Sequence, residues 1–143
     1  MGVRQATAED LGRIAEIEVF NYRLNFYPIF RADEFYFGEM TVAGRTEELR
    51  GAPGLWVWDD GTVKGFVQVT GREIRKLFVE PVLQGQGIGE RLLEHAVALG
   101  AKELWALEKN QRAIAFYRRH GFRLTEDRRP EEDTTEYLVR LER

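Results

Sequence analysis

The chain has 143 residues, 43% of them hydrophobic and 31% charged, enough to build one ordinary domain with a core. The absence of cysteine excludes disulfides, thiolate metal sites and cysteine nucleophiles, and the net charge of −3 gives no basic footprint for nucleic acid. No apolar run approaches the ~20 residues of a membrane span. The opening MGVRQATAEDL has no apolar secretion segment, and Ala6 stands where a myristoylation signal needs Ser or Thr. The expectation is one cytoplasmic domain over residues 1–143, with no membrane and no nucleic-acid partner.

Val3 to Ala6 reads as a short first strand. Thr7 is suited to cap a helix, and Glu9 and Asp10 add negative charge to its first turn. Leu11, Ile14, Ala15 and Ile17 recur at helical spacing, which predicts a helix to about Tyr22. The aromatic stretch NFYPIF is broken by Pro28, and a second helix is expected over Asp33 to Arg50, stopping at Gly51. Phe20 to Phe37 is dense in Phe and Tyr. Such a segment serves first as core and second as the lining of an acceptor pocket.

Leu55 to Trp58 reads as a strand, with a tight turn at Asp60-Gly61. Its partner is Thr62 to Thr70, with Val63, Val67 and Val69 on one face and Phe66 on the other. Gly71 turns into a third strand, Glu73 to Val79, completing an antiparallel meander. After Pro81 comes Gln84-Gly85-Gln86-Gly87-Ile88-Gly89 and then a helix to about Leu99, with Gly100 as its stop. Glu103 to Glu108 is the next strand, parallel to Glu73–Val79 because a helix crosses over between them. Asn110 caps a helix over Gln111 to Arg119, and a strand follows at Phe122 to Thr125. The charged loop EDRRPEED leads to a last strand, Glu136 to Leu141.

A strand that ends in glycines and opens a helix makes an anion site. Glycines let backbone N–H groups approach the ligand, and the helix N-terminus adds partial positive charge. The spacing excludes two nucleotide motifs: a dinucleotide fingerprint needs glycine where Glu90 stands, and no Gly-Lys-Ser/Thr occurs anywhere. What remains is Gln84-x-x-Gly87-x-Gly89 after a strand ending Leu77-Phe78-Val79-x-Pro81. This resembles the acyl-CoA pyrophosphate loop of the GNAT superfamily of N-acyltransferases. A second stretch agrees: Asn110, Ala113, Phe116, Tyr117, Gly121 and Phe122 follow the family order of Asn, Ala-x-x-Phe-Tyr and Gly-Phe. The likeness covers Glu73 to Phe122, about a third of the chain.

The resemblance implies a mixed, mostly antiparallel sheet of six to seven strands with a central splayed parallel pair and helices on both faces. It implies an N-acetyltransferase with acetyl-CoA as cosubstrate and no metal, acting by direct transfer in a ternary complex. Backbone amides from Gln84 through Gly85, Gly87, Ile88 and Gly89 to Glu90 would hold the pyrophosphate, and the Gln84 side chain could add a donor. A β-bulge near Leu77 and Phe78 would aim the Leu77 N–H at the thioester carbonyl. Val79 N–H and C=O would pair with the pantetheine arm, which Asn110 also touches.

Tyr117 is the expected acid for the departing thiolate. The base is left between Glu73, which can instead pair with Arg75, Glu108 and a water chain. Glu80 reads as a loop residue, His95 as an exposed helix residue and His120 as a cap. The acceptor is a small amine or a peptide amine, and a homodimer is possible from the family alone. The rival reading is a non-catalytic acyl-CoA-binding regulatory module. Loop residues do not exclude a longer acyl chain.

Overall fold

The computed structural model describes residues 2–143. Strand β1 (Gly2–Gln5) leads into a capping box. Thr7 N–H donates to Asp10 Oδ2 at 2.8 Å, and a single 3-10 turn at Ala8–Asp10 runs straight into α1 (Leu11–Asn25). The helix expected over Asp33–Arg50 is instead two pieces, with a further short helix before them. Pro28 sits near the start of the short α2 (Tyr27–Phe30) rather than breaking it, and Arg31 in the left-handed region ends that turn. A π-helical segment follows at Glu34–Glu39, and then α3 (Val42–Glu48). Thr41 is the reason for the break between these two. Its hydroxyl accepts from Gly44 N–H at 3.0 Å, so a residue that competes for backbone donors becomes a cap.

The sheet has seven strands in the order β1-β2-β3-β4-β5-β7-β6. These are β2 (Leu55–Asp59), β3 (Val63–Thr70), β4 (Glu73–Val79), β5 (Glu103–Leu107), β6 (Arg123–Pro130) and β7 (Tyr137–Glu142). Helix α4 (Ile88–Ala98) crosses from β4 to β5, and α5 (Gln111–Arg119) follows β5. All neighbours are antiparallel except β4 and β5, as the crossover requires. The parallel pairing holds at two positions only, Glu73 opposite Glu103 and Ile74 opposite Leu104. Beyond them the strands part. Strand β6 runs through Glu126 to Pro130, most of the segment expected as a charged loop. Pairing with β7 overrides the polar composition there.

The core lies on both faces of the sheet. On one face α4 and α5 pack Leu92, Leu93, Ile114 and Tyr117 against Val67, Ile74 and Leu104. On the other, α1 packs Ile14 and Ile17 against Val57 and Phe66. Val63 belongs to this second cluster with Phe66, not with Val67 and Val69. A register break between Trp58 and Asp59 opposite it shifts its phase. Gly65 lets α4 come close: a Cβ there would lie 3.0 Å from Leu92 Cδ1 and 3.2 Å from Ile88 Cγ2.

Candidate active site

The open edge of β4 is the centre of the site. Glu80 N–H donates to Lys64 C=O at 2.9 Å, so Lys64 and Glu80 form a hydrogen-bonded pair of the β3–β4 ladder. Antiparallel alternation then makes Phe66–Phe78 and Gln68–Lys76 the next such pairs. Leu77 and Val79 lie between them, so their N–H groups point away from β3, toward the gap where β5 has parted. The bulge is two residues upstream of its expected place. Gln68 faces Lys76 and Val69 faces Ile74, which leaves Arg75 as the extra residue, while Leu77 and Phe78 pair in register.

At the far end of β4 the chain turns through Gln84–Gly87 into α4. Gly85 and Gly87 have φ of 85° and 83°, and a Cβ at either would meet nothing within 4 Å, so the loop is open to the outside. Gly87 is the N-cap and has no side chain to offer. The first helical bond runs from Arg91 N–H to Gly87 C=O at 3.2 Å. The amides of Ile88, Gly89 and Glu90 therefore precede the helical ladder without a capping side chain, the condition for binding an anion.

The Gln84 side chain does not face that anion site. Its Nε2 donates inward to Asn21 Oδ1 at 3.1 Å and to Val79 C=O at 3.4 Å. Asn21 is the residue sequence reasoning missed. It is 1% exposed, and its Nδ2 donates to Ile17 C=O at 2.9 Å and Val79 C=O at 2.8 Å. The Val79 carbonyl expected to face a ligand is thus already engaged by α1, leaving its N–H as the free group. Asn21 tethers α1 to the end of β4 and to the loop. It sits 63 residues from Gln84, beyond any local pattern.

Where β4 and β5 separate there is a cavity of about 940 Å³. Its floor is Ile74–Phe78 and Leu104–Leu107, and α5 contributes Asn110, Ala113 and Tyr117. The aromatic segment forms one wall with Tyr22, Phe26, Phe30, Phe35 and Tyr36, and all of these but the exposed Phe35 also belong to the packed aromatic cluster. The loop between β6 and β7 forms the rim with Glu131, Glu132, Asp133 and Glu136, joined across the mouth by Glu39. The Gln84–Glu90 loop does not line this cavity; it stands at the end of β4 outside it.

Tyr117 is buried, its ring edge-on to Phe116 and Phe122. Burial pushes its phenol well above the ordinary value, so the hydroxyl keeps its proton. Asn110 caps α5, with Oδ1 accepting from Ala113 N–H at 3.3 Å, and also lines the cavity. It is thus both the cap of the helix and a residue of the cavity wall.

The two carboxylates expected as bases are elsewhere. Glu73 lies at the closed end of the gap, outside the cavity lining, with Oε2 at 3.7 Å from Arg75 Nε. Glu108 is also outside. Arg128 grips it with two bonds of 2.9 and 3.0 Å and lowers its pKa, which makes it a poorer base. Glu80 is held by Arg13 at 2.7 Å. His95 is half-buried against Trp56 rather than exposed, and that burial lowers its pKa. His120 is the C-cap of α5. Among the described residues no group of three or more His, Asp or Glu side chains is placed to hold a metal ion, and no helix is long and apolar enough to cross a membrane.

Comparison with known proteins agrees with this geometry. The family model described as acetyltransferase (GNAT) domain matches residues 51–124. The peptidyl-lysine N-acetyltransferase YjaB of Salmonella typhimurium is 39% identical over 74 residues, 50% of this chain and 51% of its own length. The match thus spans about half of that relative. The peptidyl-lysine N-acetyltransferase YiaC of Escherichia coli is 30% identical over 127 residues, 87% of this chain and 84% of that protein. Among solved structures, apo YjaB from Escherichia coli superposes with a TM-score of 0.74 at 23% identity, covering 98% of this chain and 95% of that one. The PaiA N-acetyltransferase of Thermoplasma acidophilum in complex with coenzyme A gives 0.67 at 19%, covering 99% and 98%.

Proposed function

The chain belongs to the GNAT acetyltransferase family, and on that premise we propose that it transfers an acetyl group from acetyl-CoA to a primary amine, the side chain of a peptidyl lysine, by direct transfer in a ternary complex. The observation that carries the proposal is the unpaired edge of β4. The N–H groups of Leu77 and Val79 face away from β3 into the gap that begins where the parallel pair ends, and Leu77 lines the cavity there.

In this reading the amides of Ile88, Gly89 and Glu90 hold the pyrophosphate, with Gly85 and Gly87 keeping the loop open to it. Val79 N–H and Asn110 take the pantetheine arm. Leu77 N–H faces the carbonyl oxygen that gains charge as the amine nitrogen attacks. It is fixed before reaction and so costs no reorganisation. As the carbon–sulfur bond breaks, Tyr117 gives its proton to the sulfur and recovers one from solvent. A thiol near pKa ~8.5 is the stronger acid in water, so this transfer is uphill for the phenol alone and is completed by the proton that solvent returns to Tyr117.

The proton lost by the amine goes to water in the cavity and on to the rim. Glu73 and Glu108 lie outside the lining, which favours the water route. The rim also supports a cationic acceptor. Glu39, Glu131, Glu132, Asp133 and Glu136 all line the mouth, against Arg75 and a Lys76 already paired with Glu18. Two relatives named as peptidyl-lysine acetyltransferases support the same acceptor.

The test is release of CoA thiol from acetyl-CoA, read with a thiol reagent, with lysine peptides and the same peptides carrying norleucine instead. Lysine-dependent release is the expected result. Release that ignores the lysine would overturn the acceptor, and no binding of CoA by calorimetry would overturn the whole reading.

A further inference from the structure

Strand β4 changes phase at Arg75. Leu77 and Val79 pack into the cluster under α4, while Lys76 and Phe78 turn toward α1. Ile74 also packs under α4, although it is an odd number of residues from Leu77. A regular strand forbids that, because successive side chains alternate between faces. The extra residue at Arg75 absorbs the mismatch.

A bulge can slide along its strand. Moved two residues toward the C-terminus, so that Leu77 and Phe78 together face Phe66, it would turn the Leu77 N–H into the β3 ladder and out of the cavity. Arg75 does not hold it: its side chain is exposed and its one carboxylate partner, Glu73, is at 3.7 Å. Lys76 does. Its Nζ lies 2.5 Å from Glu18 Oε2 on α1, and that oxygen makes this ion pair and no hydrogen bond of regular geometry. Glu18 is 0% exposed, and Oε1 accepts from Arg45 Nε of α3 at 2.7 Å. A slid bulge would carry Lys76 off the α1 face and leave a buried carboxylate with one of its two cations. That is the costly way to break a buried pair.

We propose that buried Glu18, through Lys76, holds the β4 bulge in the phase that aims the Leu77 N–H into the cavity. Glu18 and Lys76 are positioning residues, and their part in the rate rests on the transferase reading above. An ion pair that only docks α1 would affect stability alone. This one sets the rate, because the residue next to Lys76 carries the donor for the developing charge.

The experiment measures kcat and the KM for acetyl-CoA with a lysine peptide, together with the shift of the Leu77 amide resonance when acetyl-CoA is added without peptide. Lys76→Met and Glu18→Gln are expected to lower kcat by ~10-fold or more, since deleting such a donor outright costs ~10²–10³. The KM for acetyl-CoA should stay within ~2-fold, because ground-state binding is untouched. The shift that acetyl-CoA induces at Leu77 should be lost, and Lys76→Arg should restore both rate and shift.

If the single variants fail to fold, Glu18→Leu/Arg45→Met/Lys76→Met removes every charge at once and leaves no buried orphan. It is expected to fold and to show the same loss of kcat. Folded variants with wild-type kcat, or with the Leu77 shift intact, would overturn the proposal. A wild-type protein that binds CoA but transfers nothing would overturn the transferase reading instead, and the Leu77 shift would still decide the positioning.

Discussion

Replacing Tyr117 by Phe removes one oxygen and leaves the ring. The ring's edge contacts with Phe116 and Phe122, at centroid distances of 5.3 and 5.7 Å, persist in the variant. The loss in stability should therefore stay below ~1.5 kcal/mol, the scale of one hydrogen-bonding group. The loss in rate should be larger. General acids contribute ~10²–10⁴-fold, and the low end applies here because a thiolate of pKa ~8.5 leaves tolerably without a proton. The expectation is ~10²-fold in kcat, or ~2.7 kcal/mol of barrier at ~1.36 per tenfold. CoA affinity by calorimetry should not change.

Burial raises the Tyr117 phenol, so the acid form persists through alkaline pH, and the wild-type profile should show no falling limb from this residue below pH ~10. The thiol assay is clean because the protein carries no cysteine. A Tyr117→Phe protein within ~3-fold of wild-type kcat would refute the role of the hydroxyl, since so small a change lies far under the general-acid range.

Glu131→Gln with Glu132→Gln should raise the KM for a lysine peptide several-fold with little change in kcat, and added salt should shrink the difference because rim charges are screened. Gly65→Val should destabilise the fold by ~1–3 kcal/mol in urea unfolding, because Leu92, Ile88 and the Phe78 carbonyl already stand 3.0 to 3.2 Å from where its Cβ would be. Arg4, with help from Thr7, holds the Asp10 carboxyl down to about 2 from an ordinary 3.8. A lowered acid adds stability above 3.8 that is lost as pH falls toward 2. Asp10→Asn should therefore cost ~1–2 kcal/mol near neutral pH, discounted for the part-exposed Arg4, and the gap to wild type should close in acid unfolding between pH 4 and 2.

The run from Glu73 to Arg119 was legible because its signals are local. β4 and α5 start and stop where alternation, glycines and the Asn110 cap say they should. The helix expected over Asp33–Arg50 failed because Thr41 found a backbone donor to accept from, which composition cannot weigh against helical spacing. The site residues divide the same way. The loop amides follow from a glycine turn that opens a helix, whereas the place of the Leu77 N–H rests on the family resemblance. The side chains of Glu73, Glu108 and Gln84 do not follow from local geometry, because Arg75, Arg128 and Asn21 claim them. Glu108 and Gln84 meet partners 20 and 63 residues distant, which no window on the chain contains.

The two-position contact between β4 and β5 also divides the domain mechanically. Strands β1 to β4 form one laminated half and β5 to β7 the other, stitched along a seam by two residue pairs, α4 and the side chains around Leu104. Amides along most sheets exchange with solvent only when the sheet unravels. Those on the free side of Leu77 and Val79 have no neighbour strand to open and should exchange early in native-state measurements. Any extended molecule laid in that gap would act as the missing eighth ribbon. Its binding would be felt as stiffening of the whole domain and as a rise in melting temperature that grows with ligand concentration.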